Sequence, residues 1–307
     1  MKETDALAEM FADAGARICF DEPMARLTTW RIGGPADILV EPVDVEQVRA
    51  AVSVAKQIDL PVFTVGRGSN LLVRDGGVRG MVIHLGDAFS RLEISGDRLR
   101  VQAGRAVMSA AFVAMRQGLS GLEFATLIPG SVGGAVTMNA GAHGGEIKDV
   151  LSTVTVLTQT HEVLTMPASE LSFAYRHSKV PECGWIVLEA EFQLVPGDPE
   201  QMQEKVRAWG RKRQQTQPLS YPNCGSVFRN PPGDHAARLI EAAGLKGARV
   251  GQAAISDLHA NFIVNLGEAR ATDVLALIQR AKDAVEAQFG VRLQTEVRVV
   301  GEDETRR

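Results

Sequence analysis

The sequence predicts a mixed helix-and-strand fold of about two domains. Three observations carry this reading. The chain has 307 residues, more than a single hydrophobic core usually serves. Its first part alternates short apolar strands with amphipathic helices, and glycine turns join them. Beyond Pro218 the grammar changes to helices that carry their own glycine stops.

The elements follow in order. "DVEQVRAAVSVAKQI" (44–58) sets Val45, Val48, Val52 and Ala55 on one helical face, with Asp44 as N-cap. "LPVFTV" is a short strand, "GRGSN" a turn, and "LLVRDGGVRGMVIHLG" continues in short strands. "RLEISGDRLRVQAG" (91–104) alternates around "SGD" and predicts a hairpin. "AVMSAAFVAMRQG" (106–118) is a helix stopped by Gly118. "STVTVLTQTHEVLTM" predicts a second hairpin, and "WIVLEAEFQLV" (185–195) a strand. "EQMQEKVRAWGRKRQQTQP" (200–218) is a helix closed by Pro218, and "HAARLIEAAG" (235–244) a short one. "TDVLALIQRAKDAVEAQFG" (272–290) is amphipathic through Val274, Leu277, Ile278, Ala281, Val285 and Phe289. "VRLQTEVRVV" (291–300) is the last strand. Val291, Leu293, Thr295, Val297 and Val299 take one of its faces; Arg292, Gln294, Glu296 and Arg298 take the other.

Composition narrows the function classes. Net charge is -4 and aromatics are 5% of residues. There is no global field to attract nucleic acid and little material for stacking on single strands. The opening "MKETDALAEMFADAGAR" is acidic throughout and does not read as a secretory leader. No apolar run is long enough to predict membrane insertion. Cys19, Cys183 and Cys224 are widely spaced, without C-x-x-C. The expectation is a cytoplasmic protein with no metal site.

Several segments could carry chemistry. Glycines in "VGRGSNLLV" (65–73) let backbone N–H groups approach an anion. Leu71 occupies the place of the third glycine of a dinucleotide fingerprint, and no Walker lysine follows. Alone, the segment reads as a tight turn. "IPGSVGGAVTMNAGAHGG" (128–145) holds six glycines, no charge and no regular period. Gly130, Gly133 and Gly134 open backbone geometries closed to other residues, while Ser131, Thr137 and Asn139 offer hydrogen bonds with little bulk. Close packing of a loop and a wall for a large flat or pyrophosphate-bearing ligand are both open readings. "FAYRHSK" (173–179) crowds Tyr175, Arg176, His177, Ser178 and Lys179, and an arginine can grip a carboxylate or phosphate. Alone, it reads as a solvated loop. In "YPNCGSVFRNPPG" (221–233), Ser226 is either a turn serine or a positioned proton donor, and Cys224 a small buried filler. Glu296, between two same-face arginines, is expected to stay ionised.

Their order is more specific than any one of them. "TTWRIGGPAD", "VGRGSNLLV", "IPGSVGGAVTMNAGAHGGEI", "YRHS", "NCGSVFRNP", "HANFIVN" and "LQTEVRVV" follow one another. From about 25 to 300 the chain closely resembles the UDP-N-acetylenolpyruvoylglucosamine reductase (MurB) family of peptidoglycan synthesis. The short region between "YRHS" and "NCGS" resembles its compact subtype, which lacks an extra substrate-covering insertion. The resemblance implies an α+β fold. An FAD-binding unit of the PCMH/vanillyl-alcohol-oxidase type would comprise subdomains at 25–88 and 89–215, after an N-terminal extension (1–24). An α/β substrate-binding domain (216–290) would follow, and then a C-terminal strand returning to the cleft, with a tail (291–307).

It also implies an oxidoreductase in which NADPH reduces FAD and the reduced flavin reduces the enolpyruvyl group of UDP-N-acetylglucosamine enolpyruvate to UDP-N-acetylmuramate. By match to the family motifs, Ser226 donates the proton, while Arg176 and Glu296 stabilise the enolic intermediate. The FAD contacts would come from Gly66, Arg67, Gly68, Ser69, Asn70 and Leu71 in the first loop. The second would add Pro129, Gly130, Ser131, Gly133, Gly134, Asn139, Ala140, Gly141, Gly145 and Ile147. Ser69 and Asn70 follow Gly68 where related oxidases carry a flavin-linking histidine, so FAD is expected to be non-covalent. Tyr175, Asn230 and Asn261 match substrate-binding positions. Thr216 stands where some relatives have a lysine, leaving Arg213 or Arg229 to meet the diphosphate. The alternatives are another FAD-dependent oxidoreductase of the same fold or a non-enzymatic flavin-binding module; the latter should lose Arg176, Ser226 and Glu296.

Overall fold

β1 (Arg17–Pro23) and β2 (Pro35–Glu41) begin the described part of the chain, residues 16–304 of a computed structural model. Segment 1–15, most of the expected N-terminal extension and of the acidic opening, lies outside the described residues, as does 305–307. Helix α1 (Val45–Gln57) starts where expected, because the Asp44 side chain accepts from the Gln47 amide at 2.8 Å. Its buried face is Val48, Ala51 and Ala55, with Val45 and Val52 packed at the margin. Strands β3 (Val62–Val65), β4 (Leu71–Val73) and β5 (Val78–His84) follow. One sheet runs β1-β2-β5-β3, with β3 and β5 parallel.

β6 (Leu92–Ser95) and β7 (Arg98–Gln102) form the first expected hairpin, with Gly96 left-handed at its turn (φ +61°). α2 (Val107–Arg116) ends before Gly118, whose φ of +70° supplies the helix stop. β8 (Leu119–Ser120), α3 (Val132–Thr137), β9 (Gly141–Ala142) and β10 (Gly145–Glu146) come next. β11 (Leu151–Leu157) and β12 (Val163–Pro167) are the second expected hairpin, and β13 (Ile186–Gln193) the following strand. The second sheet is antiparallel in the order β12-β11-β13-β7-β6. β14 (Val195–Pro196) precedes α4 (Pro199–Thr216), whose first turn is held by Asp198.

The chain forms two compact units. The first comprises 16–20, Ile38–Arg67 and Gly80–Gly210; the second comprises Asp21–Asp37, Gly68–Arg79 and 211–304. The core of the first is built from Phe89, Leu99, Val101, Val154 and Phe192, all fully buried. Each such side chain contributes about 1.5–3 kcal/mol.

In the second unit, α5 (Ala236–Ala242), β15 (Arg249–Val250), β16 (Ala253–Ile255), β17 (Ile263–Asn265), α6 (Ala271–Phe289) and β18 (Arg298–Val300) complete the chain. β15, β16 and β17 form a small sheet, and β18 pairs parallel with β4. α6 buries Val274, Leu277, Ile278, Ala281 and Val285 and ends at left-handed Gly290. Trp30 is fully buried against them, and its indole N–H donates to the Ile263 carbonyl at 2.7 Å.

Two expectations need correction. The last strand is confined to Arg298–Val300. Leu293 and Val297 are buried while Arg292, Gln294 and Arg298 are exposed, as an alternating strand requires. The backbone of 294–297 instead pairs with a loop: Arg229 N donates to Gln294 O, and Glu296 and Val297 N both meet Val227 O. Arg292 turns to Glu286 at 2.7 Å, so it does not flank Glu296 in an ion pair. The second correction is α3 itself, within the stretch read as having no period. Glycine and alanine give a short helix no apolar stripe to detect. Ser131 caps it by accepting from Gly134 N, and Val132, Gly133, Ala135 and Val136 are buried.

Candidate active site

The first glycine loop leaves β3 at Gly66. A Cβ there would lie 2.1 Å from Ser131 Oγ, so the bare backbone of Gly66 is what lets the two glycine segments touch within the first unit. Arg67 turns outward to Asp87 at 3.0 Å. Gly68 has φ +57°, and a Cβ would lie 1.9 Å from the Leu27 carbonyl oxygen; only glycine fits. No described residue accepts a hydrogen bond from the backbone N–H groups of 66–70. Ser69 and Asn70 are half-buried, and Leu71 is buried at the start of β4.

The second segment differs from its sequence reading in an instructive way. Gly133 and Gly134 are ordinary right-handed helix residues, so unusual backbone angles are not their purpose. Gly133 is needed for packing, since a Cβ would sit 2.9 Å from that of Ala103. Gly134 is exposed, and a Cβ there would meet only Ser131 Oγ, at 3.3 Å. Gly130 is buried and its carbonyl accepts from Val107 N, while Pro129 is exposed. The amides of Val132 and Gly133 donate to Arg105 O and Ala103 O. The polar side chains also turn inward: Thr137 Oγ1 donates to Gly133 O, and Ser131 Oγ is the helix cap. Asn139 is fully buried at φ +42°. Its Nδ2 donates to Glu146 Oε2 and Ala174 O, and its Oδ1 accepts from Lys148 N, each at 3.0 Å. Its side chain is thus engaged by the protein through both donor and acceptor. Ile147 is fully buried in the first core, its N–H donating to the carbonyl of the half-buried Ala140.

Gly141 and Gly145 form a narrow hairpin. A Cβ on Gly145 would strike the Phe124 ring at 2.7 Å, and one on Gly141 would crowd the Gly145 carbonyl oxygen at 2.7 Å and Arg176 Nη1 at 3.1 Å. Arg176 is held here. Ala174 and His177 exchange both backbone hydrogen bonds, leaving Tyr175 and Arg176 as a two-residue turn with Arg176 left-handed at φ +53°. A non-glycine residue in that region costs on the order of 1 kcal/mol. Arg176 Nη2 donates to Gly141 O at 2.7 Å, and Ser178 anchors the next residue but one to Thr137 O. Tyr175 is exposed beneath the Arg176 guanidinium. The segment is therefore a locked turn, where its composition read as a solvated loop.

Glu146 was not singled out by any spacing rule. It receives Lys148 Nζ at 2.8 Å and the Asn139 amide. Lys148, then Asn139 and the charge of Arg176, hold its carboxyl below the usual glutamate range against the opposing effect of burial.

In the second unit, Ser226 and Glu296 lie on neighbouring segments. Phe228 bridges to Thr295, and Glu296 N donates to Val227 O at 2.8 Å. Asn70 flanks them: its Nδ2 donates to Glu296 O at 3.1 Å and its carbonyl accepts from Arg298 N. Ser226 is half-buried, and no described residue hydrogen-bonds its hydroxyl. Cys224 is buried filler, as expected; burial, then the charge of Glu296, pushes its thiol up. Asn261 is buried, with its amide engaged by the Phe228 backbone. Asn230 is exposed and accepts from Ala236 N at the start of α5. Thr216 donates to the Lys212 carbonyl. Arg213 is bonded to Gln217, and burial lowers its pKa. Thr29 adds a hydroxyl that composition did not flag. Its Oγ1 is buried without a partner among the described residues, and its N–H donates to Gly68 O.

Residues 36–166 match the FAD binding domain family, and 217–300 match the C-terminal domain of UDP-N-acetylenolpyruvoylglucosamine reductase. UDP-N-acetylenolpyruvoylglucosamine reductase 2 of Symbiobacterium thermophilum is 47% identical, over 97% of this chain and 96% of that protein. The reductase of Agathobacter rectalis is 48% identical over 92% and 93%. The crystal structure of the Thermus caldophilus enzyme superposes with a TM-score of 0.80 at 38% identity, covering 92% of this chain and 98% of that one. A Physcomitrella patens BBE-like 1 structure, 16% identical, shares the fold alone with a TM-score of 0.50. The expected PCMH/vanillyl-alcohol-oxidase-type α+β fold is thus borne out, and the chain belongs to the UDP-N-acetylenolpyruvoylglucosamine reductase family.

Proposed function

We propose that Ser226, Arg176 and Glu296 carry the chemistry of this NADPH- and FAD-dependent reductase, which converts UDP-N-acetylglucosamine enolpyruvate to UDP-N-acetylmuramate for peptidoglycan synthesis. The observation that carries the proposal is the pairing of 227–229 with 294–296, which sets the Ser226 segment beside Glu296.

The residues fit FAD. A pyrophosphate needs concentrated donors, and the amides of 66–70, around left-handed Gly68, are spent on no described residue. A flat ring system needs a surface without bulk, and the exposed Gly134 presents one. Gly66, Gly68, Ser69, Asn70, Gly130 and Gly134 would hold the cofactor chiefly through backbone, and the unpartnered Thr29 hydroxyl is available beside Gly68. When bound, FAD supplies the hydride, taken from NADPH, to C3 of the enolpyruvyl group. Ser226 gives a proton to C2 and regains one from water, so the added hydride and proton balance the reduction. The Arg176 guanidinium offsets the negative charge that develops next to the substrate carboxylate. Tyr175 and Asn230 are the proposed substrate contacts, with Arg213 or Arg229 at the diphosphate. The compartment we infer is the cytoplasm. Cys19, Cys183 and Cys224 are free thiols, and among the described residues no helix is long and apolar enough to cross a membrane.

Stopped-flow separation of the half-reactions tests the trio. Ser226→Ala should leave flavin reduction by NADPH near the wild-type rate and slow reoxidation by the enolpyruvyl sugar about 10²- to 10⁴-fold. An equal fall in both half-reactions would remove Ser226 from the proton-donor role.

A further inference from the structure

We infer that Asn261 is a positioning residue for the Ser226 hydroxyl and does not bind substrate. The inference rests on the reading of Ser226 as proton donor. Asn261 behaves as a substitute β-strand for the residues that follow Ser226. Its Oδ1 accepts from Phe228 N at 2.9 Å, its Nδ2 donates to Phe228 O at 2.8 Å, and its own carbonyl accepts from Val227 N at 2.9 Å. The opposite edge of the same segment is held by Glu296 N on Val227 O and by Arg229 N on Gln294 O. Residues 227–229 are therefore clamped from both sides, and one clamp is a single residue.

The clamp matters because, among the described residues, no bond holds the Ser226 hydroxyl itself. On its other side the chain turns through Gly225, at φ +80° with open space where a Cβ would be. Position is thus transmitted to Ser226 from Val227 and Phe228, which are 0% and 2% exposed. Asn261 is itself fixed: its N–H donates to His259 Nδ1 at 3.3 Å, and the His259 ring meets Phe262 edge-on. At 4% exposure, with its amide engaged in both directions, it is poorly placed to greet a ligand. An error of about 1 Å in a reacting group costs on the order of 10² in rate, so a buried amide can control a reaction it never touches.

The test uses flavin-loaded Asn261→Ala and Asn261→Asp. The aspartate keeps the side-chain volume and the acceptor for Phe228 N and loses only the donor to the Phe228 carbonyl, so it breaks half of the clamp without leaving the cavity that alanine does. Anaerobic reoxidation of pre-reduced enzyme is followed against enolpyruvyl UDP-sugar concentration. The limiting rate should fall roughly 10- to 100-fold, with the substrate dissociation constant within about twofold and NADPH reduction unchanged. The solvent isotope effect on reoxidation should rise as proton transfer becomes limiting. Adding either substitution to Ser226→Ala should slow it no further, because the positioned group is gone. A weakened substrate affinity with an unchanged limiting rate would make Asn261 a substrate contact and overturn the inference. Multiplicative losses in the double variant would overturn it as well. Wild-type reoxidation by Ser226→Ala alone would instead bring down the proton-donor reading, a separate and distinguishable failure.

Discussion

Single residues in the two glycine segments separate open space from space needed by the fold. Gly133 and Gly134 are adjacent, yet only Gly133 is pressed against another residue's carbon. Valine at Gly134 removes the helix penalty of glycine, and its Cβ meets only the Ser131 hydroxyl, at 3.3 Å. Gly134→Val should therefore leave apoprotein stability within about 0.5 kcal/mol, while FAD retention in equilibrium dialysis falls at least tenfold. Asn139 makes the opposite case. It is buried, left-handed and bonded three times, to Glu146, Ala174 and Lys148. Asn139→Ala should cost about 2–4 kcal/mol in urea unfolding and loosen the turn that carries Arg176. Both residues stood in the sequence as small components of one glycine-rich run. What sets them apart is which neighbour each one faces.

The elements owe their ends to local chemistry, and so most were legible. Asp44 before α1, Gly118 after α2, Gly244 after α5 and Gly290 after α6 do what their types predict. α6 shows where local reading stops. Its first amides, Ala271 N and Thr272 N, donate to Asp75, almost two hundred positions earlier in the chain. Asp75→Ala should destabilise the protein by about 1 kcal/mol and raise amide exchange at the first turn of α6, with little change elsewhere in that helix. No sequence window contains both partners. The last strand was overcalled for a related reason: its alternation is real, but an alternating burial pattern does not say whether its backbone partner is a ladder or a loop. α3 shows no apolar stripe in the sequence because its residues are nearly all small, and what holds it is the Ser131 cap and burial.

At the scale of the whole molecule, two cores in two units are joined by a chain that passes between them more than once. Acid should unfold the protein in stages that its buried groups set. Burial depresses the pKa of His259, whose Nδ1 already accepts from Asn261 N. A depressed pKa means the unfolded chain binds the proton first, so this stability is present above the usual value of 6.5 and is lost as pH falls below it. Glu146, held low mainly by Lys148, has the same sign below the usual 4.5. Glu123 joins it, because bonds from Ser120 and Gly121 outweigh its burial. Glu189, raised by burial, opposes them, since its contribution is lost as pH rises through its folded value. Urea midpoints should decline from pH 7 to 5, and His259→Gln should flatten that limb; an unchanged slope would detach it from His259. The sequence by itself determined the family, most of the helices and strands and the side chains proposed to react, because motifs, caps and periodicity are local. Only tertiary structure decided which glycines the fold's own packing requires, that the side chains of Asn139 and Asn261 bond the protein itself, and that Glu146 stands beside Arg176. Those are contacts between residues that no spacing rule relates, and burial and hydrogen-bond partners exist only once distant segments have met.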